Sequence, residues 1–117
     1  MNTIQPHFCN IKKDTIYFLK HRNPFSLNDI IMLQGDSNYT FVHLQNGRKL
    51  LVSRTLKWFE MLLEKHGFLR THRGFIINCN HLLQLGKTHQ KAFLTNNLQA
   101  SISRRRRAEV SRRLNRD

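Results

Sequence analysis

The sequence predicts a mainly β domain in which small sheets stack around one inserted α-helix. Three observations lead there. Short β-branched and aromatic runs recur between turn-forming residues from Thr15 to Ile102. Between Ser53 and Gly67 the apolar spacing changes from alternation to the three-and-four spacing of a helix. The length, 117 residues, suits one domain with a single core that needs neither metals nor disulfides.

Taken in order, residues 1–10 lack periodicity and contain Pro6, which predicts a flexible N-terminal arm. Thr15 to Lys20 has strand composition, and His21-Arg22-Asn23-Pro24 ends it. Ile30 to Leu33 is a second short apolar run, Gln34 to Ser37 reads as a turn or bulge, and Asn38 to Leu44 resumes extended structure. Asn46-Gly47 predicts a type I′ hairpin, because both central positions of that turn take positive φ, and Arg48 to Ser53 is the returning strand.

The helix is expected at about 54–66. Leu56, Trp58, Phe59, Leu62 and Leu63 share one side, Ser53 or Thr55 caps the start, and Gly67 suits the position just past the end. So short a helix must pack on strands to persist. Its outer side carries Glu60 and Glu64 beside Lys57, which suits a core-covering helix better than one that reads a DNA groove. Further on, Leu82 to Leu85 and Lys91 to Leu94 read as strands, Asn96-Asn97 as a hairpin turn, and Leu98 to Ile102 as its return. Residues 107–117 are a basic tail or short helix: Val110 and Leu114 have helical spacing, while so arginine-rich a segment can also stay loose until it meets phosphates.

A net charge of +13 argues for a polyanionic partner, either nucleic acid or an anionic membrane surface. The charge is not confined to the tail. Residues 101–117 hold seven arginines against Glu109 and Asp117, and the other thirteen cations precede them. Seven histidines show neither HxxxH nor HExxH spacing, so no metal is expected. The acids are scattered, with no catalytic triad order and no glycine-rich phosphate loop, so no enzyme activity and no cofactor are expected. Cys9 and Cys79 have no Cys-x-x-Cys spacing and read as ordinary small thiols, buried or at the surface. With no apolar run long enough for a signal peptide or a membrane span, a reducing cytoplasm is the simplest compartment.

Phe68 to Asn78, Phe-Leu-Arg-Thr-His-Arg-Gly-Phe-Ile-Ile-Asn, sets cationic donors directly against a core-type strand. Gly74 would let the backbone take positive φ or pass close to a partner. This stretch resembles the signature of the LytTR family, DNA-binding output domains of bacterial response regulators. The resemblance continues through Asp29-Ile30-Ile31-Met32-Leu33 into Asn38-Tyr39, the helix after Arg54, and Ser103-Arg104. It covers residues 11–106 as the binding domain. No receiver domain with its acidic pocket is part of it, and Gly74 stands where the family usually has a small hydroxyl residue, so that phosphate contact is lost.

The resemblance implies stacked small β-sheets and DNA reading by loops and strand ends. The readers it implies are Asn38, Arg73 and Arg104. An amide such as that of Asn38 can bond an adenine edge, and a guanidinium can fork onto guanine O6 and N7. Arg70, His72, Ser103, Arg105 and Arg106 are the implied phosphate contacts, which set position without reading sequence. The function implied is bacterial transcription regulation on double-stranded DNA. Two copies would sit on direct repeats, with a monomer in solution and no membrane partner. The basic composition also permits an RNA-binding or ribosome-associated protein, or a module for proteins or anionic membranes. Against these stand the lack of an exposed RNP1-type aromatic motif and of a basic amphipathic helix outside the core.

Overall fold

A strand covered on both faces needs apolar side chains at successive positions, and Ile30-Ile31-Met32-Leu33 and Phe75-Ile76-Ile77 provide them. In the computed structural model, which describes residues 9–12, 15–18 and 25–114, both runs lie at the centre of the molecule. The strands are β1 (Cys9–Lys12), β2 (Thr15–Phe18), β3 (Phe25–Ser26), β4 (Ile30–Asp36), β5 (Tyr39–Leu44) and β6 (Lys49–Val52). Helix α1 (Leu56–Leu63) follows, then β7 (Phe68–His72), β8 (Phe75–Asn78), β9 (Leu82–Leu85), β10 (Lys91–Leu94), β11 (Gln99–Ser101) and helix α2 (Arg107–Leu114).

They form three antiparallel sheets: a central one in the order β6-β5-β4-β8-β7, flanked by β1-β2-β3 and β11-β10-β9. One face of the central sheet, with Leu33, Val42 and Ile76, packs on Leu56, Phe59, Leu62 and Leu63 of α1. The other, with Met32, Leu69 and Ile77, packs on Ala92, Leu94, Ala100, Ile102 and Val110. A bulge in β4 between Ile30 and Met32 puts Ile31 and Met32 on the same side, where a regular strand would alternate them.

Helix α1 is shorter than the 54–66 expected. Thr55 caps it, its Oγ1 accepting from the Trp58 N–H at 3.2 Å, and residues 64–67 form a turn that ends at Gly67 with φ 83°. The span expected as a turn, Gln34 to Ser37, is mostly strand. Gln34, Gly35 and Asp36 pair with Phe41, Thr40 and Tyr39, which leaves only Ser37 and Asn38 in the loop.

The Asn46-Gly47 turn also differs from the type I′ expected. Leu44 N–H donates to the Arg48 carbonyl and Gly47 N–H to the Leu44 carbonyl, so the loop has three residues and only Gly47 takes positive φ, 92°. The Asn46 side chain accepts from the Arg48 N–H at 2.9 Å instead. At Asn96-Asn97 both residues do take positive φ, 63° and 60°. At the C-terminus the helical alternative is realised, because Val110 is fully buried and Leu114 packs beside it. At the other end, β1 starts at Cys9, inside the segment expected as an arm; residues 1–8 lie outside the described residues.

Three buried polar side chains in the core, Asn78, His81 and His43, have partners. The Asn78 side chain, 2% exposed, donates to the carbonyls of Leu27 and Ile30 at 3.3 and 2.9 Å and accepts from the Asn80 N–H. His81 bonds Thr95 Oγ1 and the Asn28 carbonyl. His43 lies 3.1 Å from Gln34 Oε1, and burial, with Lys49 nearby, lowers its pKa from the ordinary histidine value.

Two outcomes follow from this packing. Unfolded His43 takes up a proton near pH 6.5 that the folded chain resists, so its contribution is complete above that pH and is lost as pH falls below it. Denaturant melts between pH 8 and 5 should show a shallower loss for His43→Gln than for the parent; identical slopes would remove His43 as the cause. Val110→Ala should lower unfolding free energy by about 2 kcal/mol, whereas the exposed Arg112→Ala should change it by no more than about 0.5 kcal/mol.

Candidate nucleic-acid interface

Pairing register decides which loops meet. β4 meets β8 with Gln34 opposite Phe75, and one step further the Gly35 N–H donates to the Gly74 carbonyl at 2.9 Å. The β4–β5 turn, carrying Asn38, and the β7–β8 turn, carrying Arg73, therefore share one end of the central sheet. The third segment is tied to the same end through Thr71, which is fully buried. Its Oγ1 donates to the Ser101 carbonyl and its carbonyl accepts from the Ser103 N–H, both at 2.9 Å. Ser103 then leads into a 3₁₀ turn, Arg104–Arg106, that runs directly into α2.

So the three implied readers stand on three adjoining segments. Asn38, Arg73, Arg104 and Arg105 are exposed, and His72, Ser103 and Arg106 are half-buried. Ser103 makes no side-chain cap bond, which leaves its hydroxyl open to a ligand oxygen. Arg73 uses only its backbone within the chain: its carbonyl accepts a bond, and its guanidinium has no protein partner among the described residues.

Arg70 is turned inward. Its side chain is 12% exposed, with Nη1 2.6 Å from Glu60 Oε1, Nε 2.8 Å from the His72 carbonyl and Nη2 2.6 Å from the Arg73 carbonyl. A fork engaged on three sides braces the turn, and phosphate contact, the use implied for it by sequence, would compete with those bonds. Spacing along the chain does not reveal this, because Glu60 comes from a helix ten positions earlier.

His72 Nδ1 accepts from the Gly74 N–H at 2.9 Å, which places the ring's N–H on Nε2. Gly74 does not adopt positive φ, contrary to one reason suggested for a glycine there. A Cβ at that position would lie 3.4 Å from His72 Nδ1, within ordinary contact, so neither the backbone angle nor the space around it requires a glycine there.

An open groove of about 360 Å³ separates the β4–β5 turn from the β7–β8 turn, with Ser37 on one side, Arg73 and Gly74 on the other, and Thr55 to Lys57 at the start of α1. Lys57 is exposed there. In the sequence its only signal is a cation in the first turn of the helix that follows Arg54. Tyr39, 46% exposed beside Asn38, likewise reads in the sequence as a strand residue. Arg54, by contrast, stacks with its guanidinium carbon 5.3 Å from the Trp58 ring centre.

The surface is thus cationic and hydrogen-bonding, able to form a fork on base edges and several contacts to phosphate oxygens. Among the described residues no three or more His, Cys, Asp or Glu side chains are grouped to hold a metal, and no helix is long and apolar enough to cross a membrane.

Comparison with known proteins agrees with this architecture. The family model for the LytTr DNA-binding domain matches residues 11–115. No curated protein matches. Among solved structures, the chain is similar to the LytTr DNA-binding domain of a Bacillus cereus protein assigned as a methyl-accepting/DNA response regulator. Identity is 25% and the TM-score 0.65, covering 86% of this chain and 94% of that one. A family match over nearly the whole chain, on a fold of stacked antiparallel sheets with two helices, places the protein: it belongs to the LytTR family of DNA-binding domains.

Proposed function

We propose that the chain is a sequence-specific regulator of transcription that reads duplex DNA, in the bacterial cytoplasm and without catalysis, from one end of its central sheet. The observation that carries this reading is the shared end itself. Asn38, Arg73 and Arg104 project from segments bonded to one another through Gly35–Gly74 and Thr71–Ser103, so their spacing is set by the fold before DNA arrives. Arg73 suits a guanine, Asn38 an adenine, and Arg104 a third base edge. His72 through Nε2–H, Ser103 through its hydroxyl, and Arg105 and Arg106 are the phosphate contacts in this reading. Arg70 is left out of that set because its fork supports the turn.

A chain of +13 repels its own copies until phosphates neutralise it. It therefore acts as a monomer in solution, and two copies occupy direct repeats about one helical turn apart, where each keeps the same orientation and needs no two-fold interface.

Arg73→Ala should weaken binding to the selected duplex by roughly 1 to 3 kcal/mol and relax choice at one base pair, with little change on random DNA. Equal losses on both duplexes, or equal competition by an RNA hairpin, would count against base reading. Inserting about half a turn, near 5 base pairs, between the repeats should abolish cooperation between copies. Indifference to that insertion, or a stable dimer sedimenting at micromolar concentration without DNA, would defeat the tandem-monomer arrangement.

A further inference from the structure

The β7–β8 turn is unusual in how its backbone is held. Its register shifts between Arg70 and His72, which leaves Thr71 as the extra residue, and His72 then pairs with Phe75 across the turn. Four consecutive carbonyls, from Thr71 to Gly74, accept from groups outside that ladder. Thr71 takes the Ser103 N–H and Gly74 takes the Gly35 N–H, each at 2.9 Å. The middle two, His72 and Arg73, take Nε and Nη2 of the single Arg70 guanidinium, at 2.8 and 2.6 Å. The remaining nitrogen of that guanidinium faces Glu60 Oε1 at 2.6 Å.

A planar fork holds two carbonyls in place only if its own plane is fixed, and a carboxylate on the third nitrogen fixes it. We propose that Glu60, on a helix that reads no bases, is a positioning residue for DNA recognition: through Arg70 it sets the backbone from which Arg73 projects. The proposal rests on the reading of Arg73 as a base contact. Electrostatics alone predicts the opposite sign for this acid. A carboxylate near a polyanion weakens binding, so removing it should tighten binding to every duplex. As a positioning residue, Glu60 instead contributes to discrimination, because misplacement of Arg73 costs the forked contact and leaves phosphate contacts elsewhere intact.

The experiment measures affinity for the selected duplex and for random duplex, at one salt concentration, with the full chain. Glu60→Ala should leave random-duplex binding unchanged or tighter and lower the selected-to-random ratio by about fivefold or more, toward that of Arg73→Ala. Glu60→Gln removes the same charge but keeps an acceptor for Nη1, and should retain most of the ratio. In the double variant Glu60→Ala with Arg73→Ala, the ratio should fall no further than with Arg73→Ala alone. Should Glu60→Ala melt too low to assay, Arg70→Lys keeps the positive charge without the fork and should show the same loss of ratio. An unchanged or raised ratio in Glu60→Ala, equal losses on both duplexes, or a Glu60→Gln variant as poor as Glu60→Ala would overturn the positioning role. If Arg73→Ala itself leaves the ratio intact, base reading by Arg73 fails and this inference fails with it; loss of ratio in Arg73→Ala alone would remove only the inference.

Discussion

Burial of β4 and β8 on both faces is the constraint from which the rest of the molecule follows. With Leu33 and Ile76 facing α1, and Met32 and Ile77 facing the β9–β11 sheet and α2, neither strand can slip by one residue without exchanging its sides. That register puts Gly35 opposite Gly74 and so brings two turns to one end. The proposed recognition surface is thus a by-product of core packing. Loops on such a support are held far more closely than loops joined by their own contacts.

Much of this was readable in the chain because it depends on local pattern. The continuous apolar runs, a cap at Ser53 or Thr55 and the helical stretch after it needed only neighbouring residues to identify. What could not be read depends on partners distant in sequence. Asn46-Gly47 and Asn96-Asn97 look alike as dipeptides and both sit in three-residue loops, closed by Leu44 with Arg48 and Leu94 with Leu98, yet the first holds one left-handed residue and the second two. The loop length follows from strand register, and no local signal reports register. Arg70 is the same lesson at the site. Beside His72 and Arg73 it looks like one more basic donor, and only the arrival of Glu60 from α1 marks it as a brace of the turn.

The bulges serve the same division of labour. One in β4 lets two adjacent residues enter a single core, and one between β7 and β8 leaves Thr71 outside the pairing, where its carbonyl takes the Ser103 N–H. Regular pairing would have stabilised both ladders but would have left the β7–β8 turn held only at its ends. Here, Gly35, Arg70 and Ser103, from three parts of the chain, bond the carbonyls of that turn, and its rigidity reflects tertiary structure more than strand propensity.

The docking of α2 has a thermodynamic consequence. Because Val110 is already sealed into the second core, the arginines around it are displayed on a finished helix, and engaging phosphates requires no coil-to-helix transition. The heat-capacity change of association should then scale with the surface covered by the duplex alone, without the large excess that accompanies a segment folding on its partner.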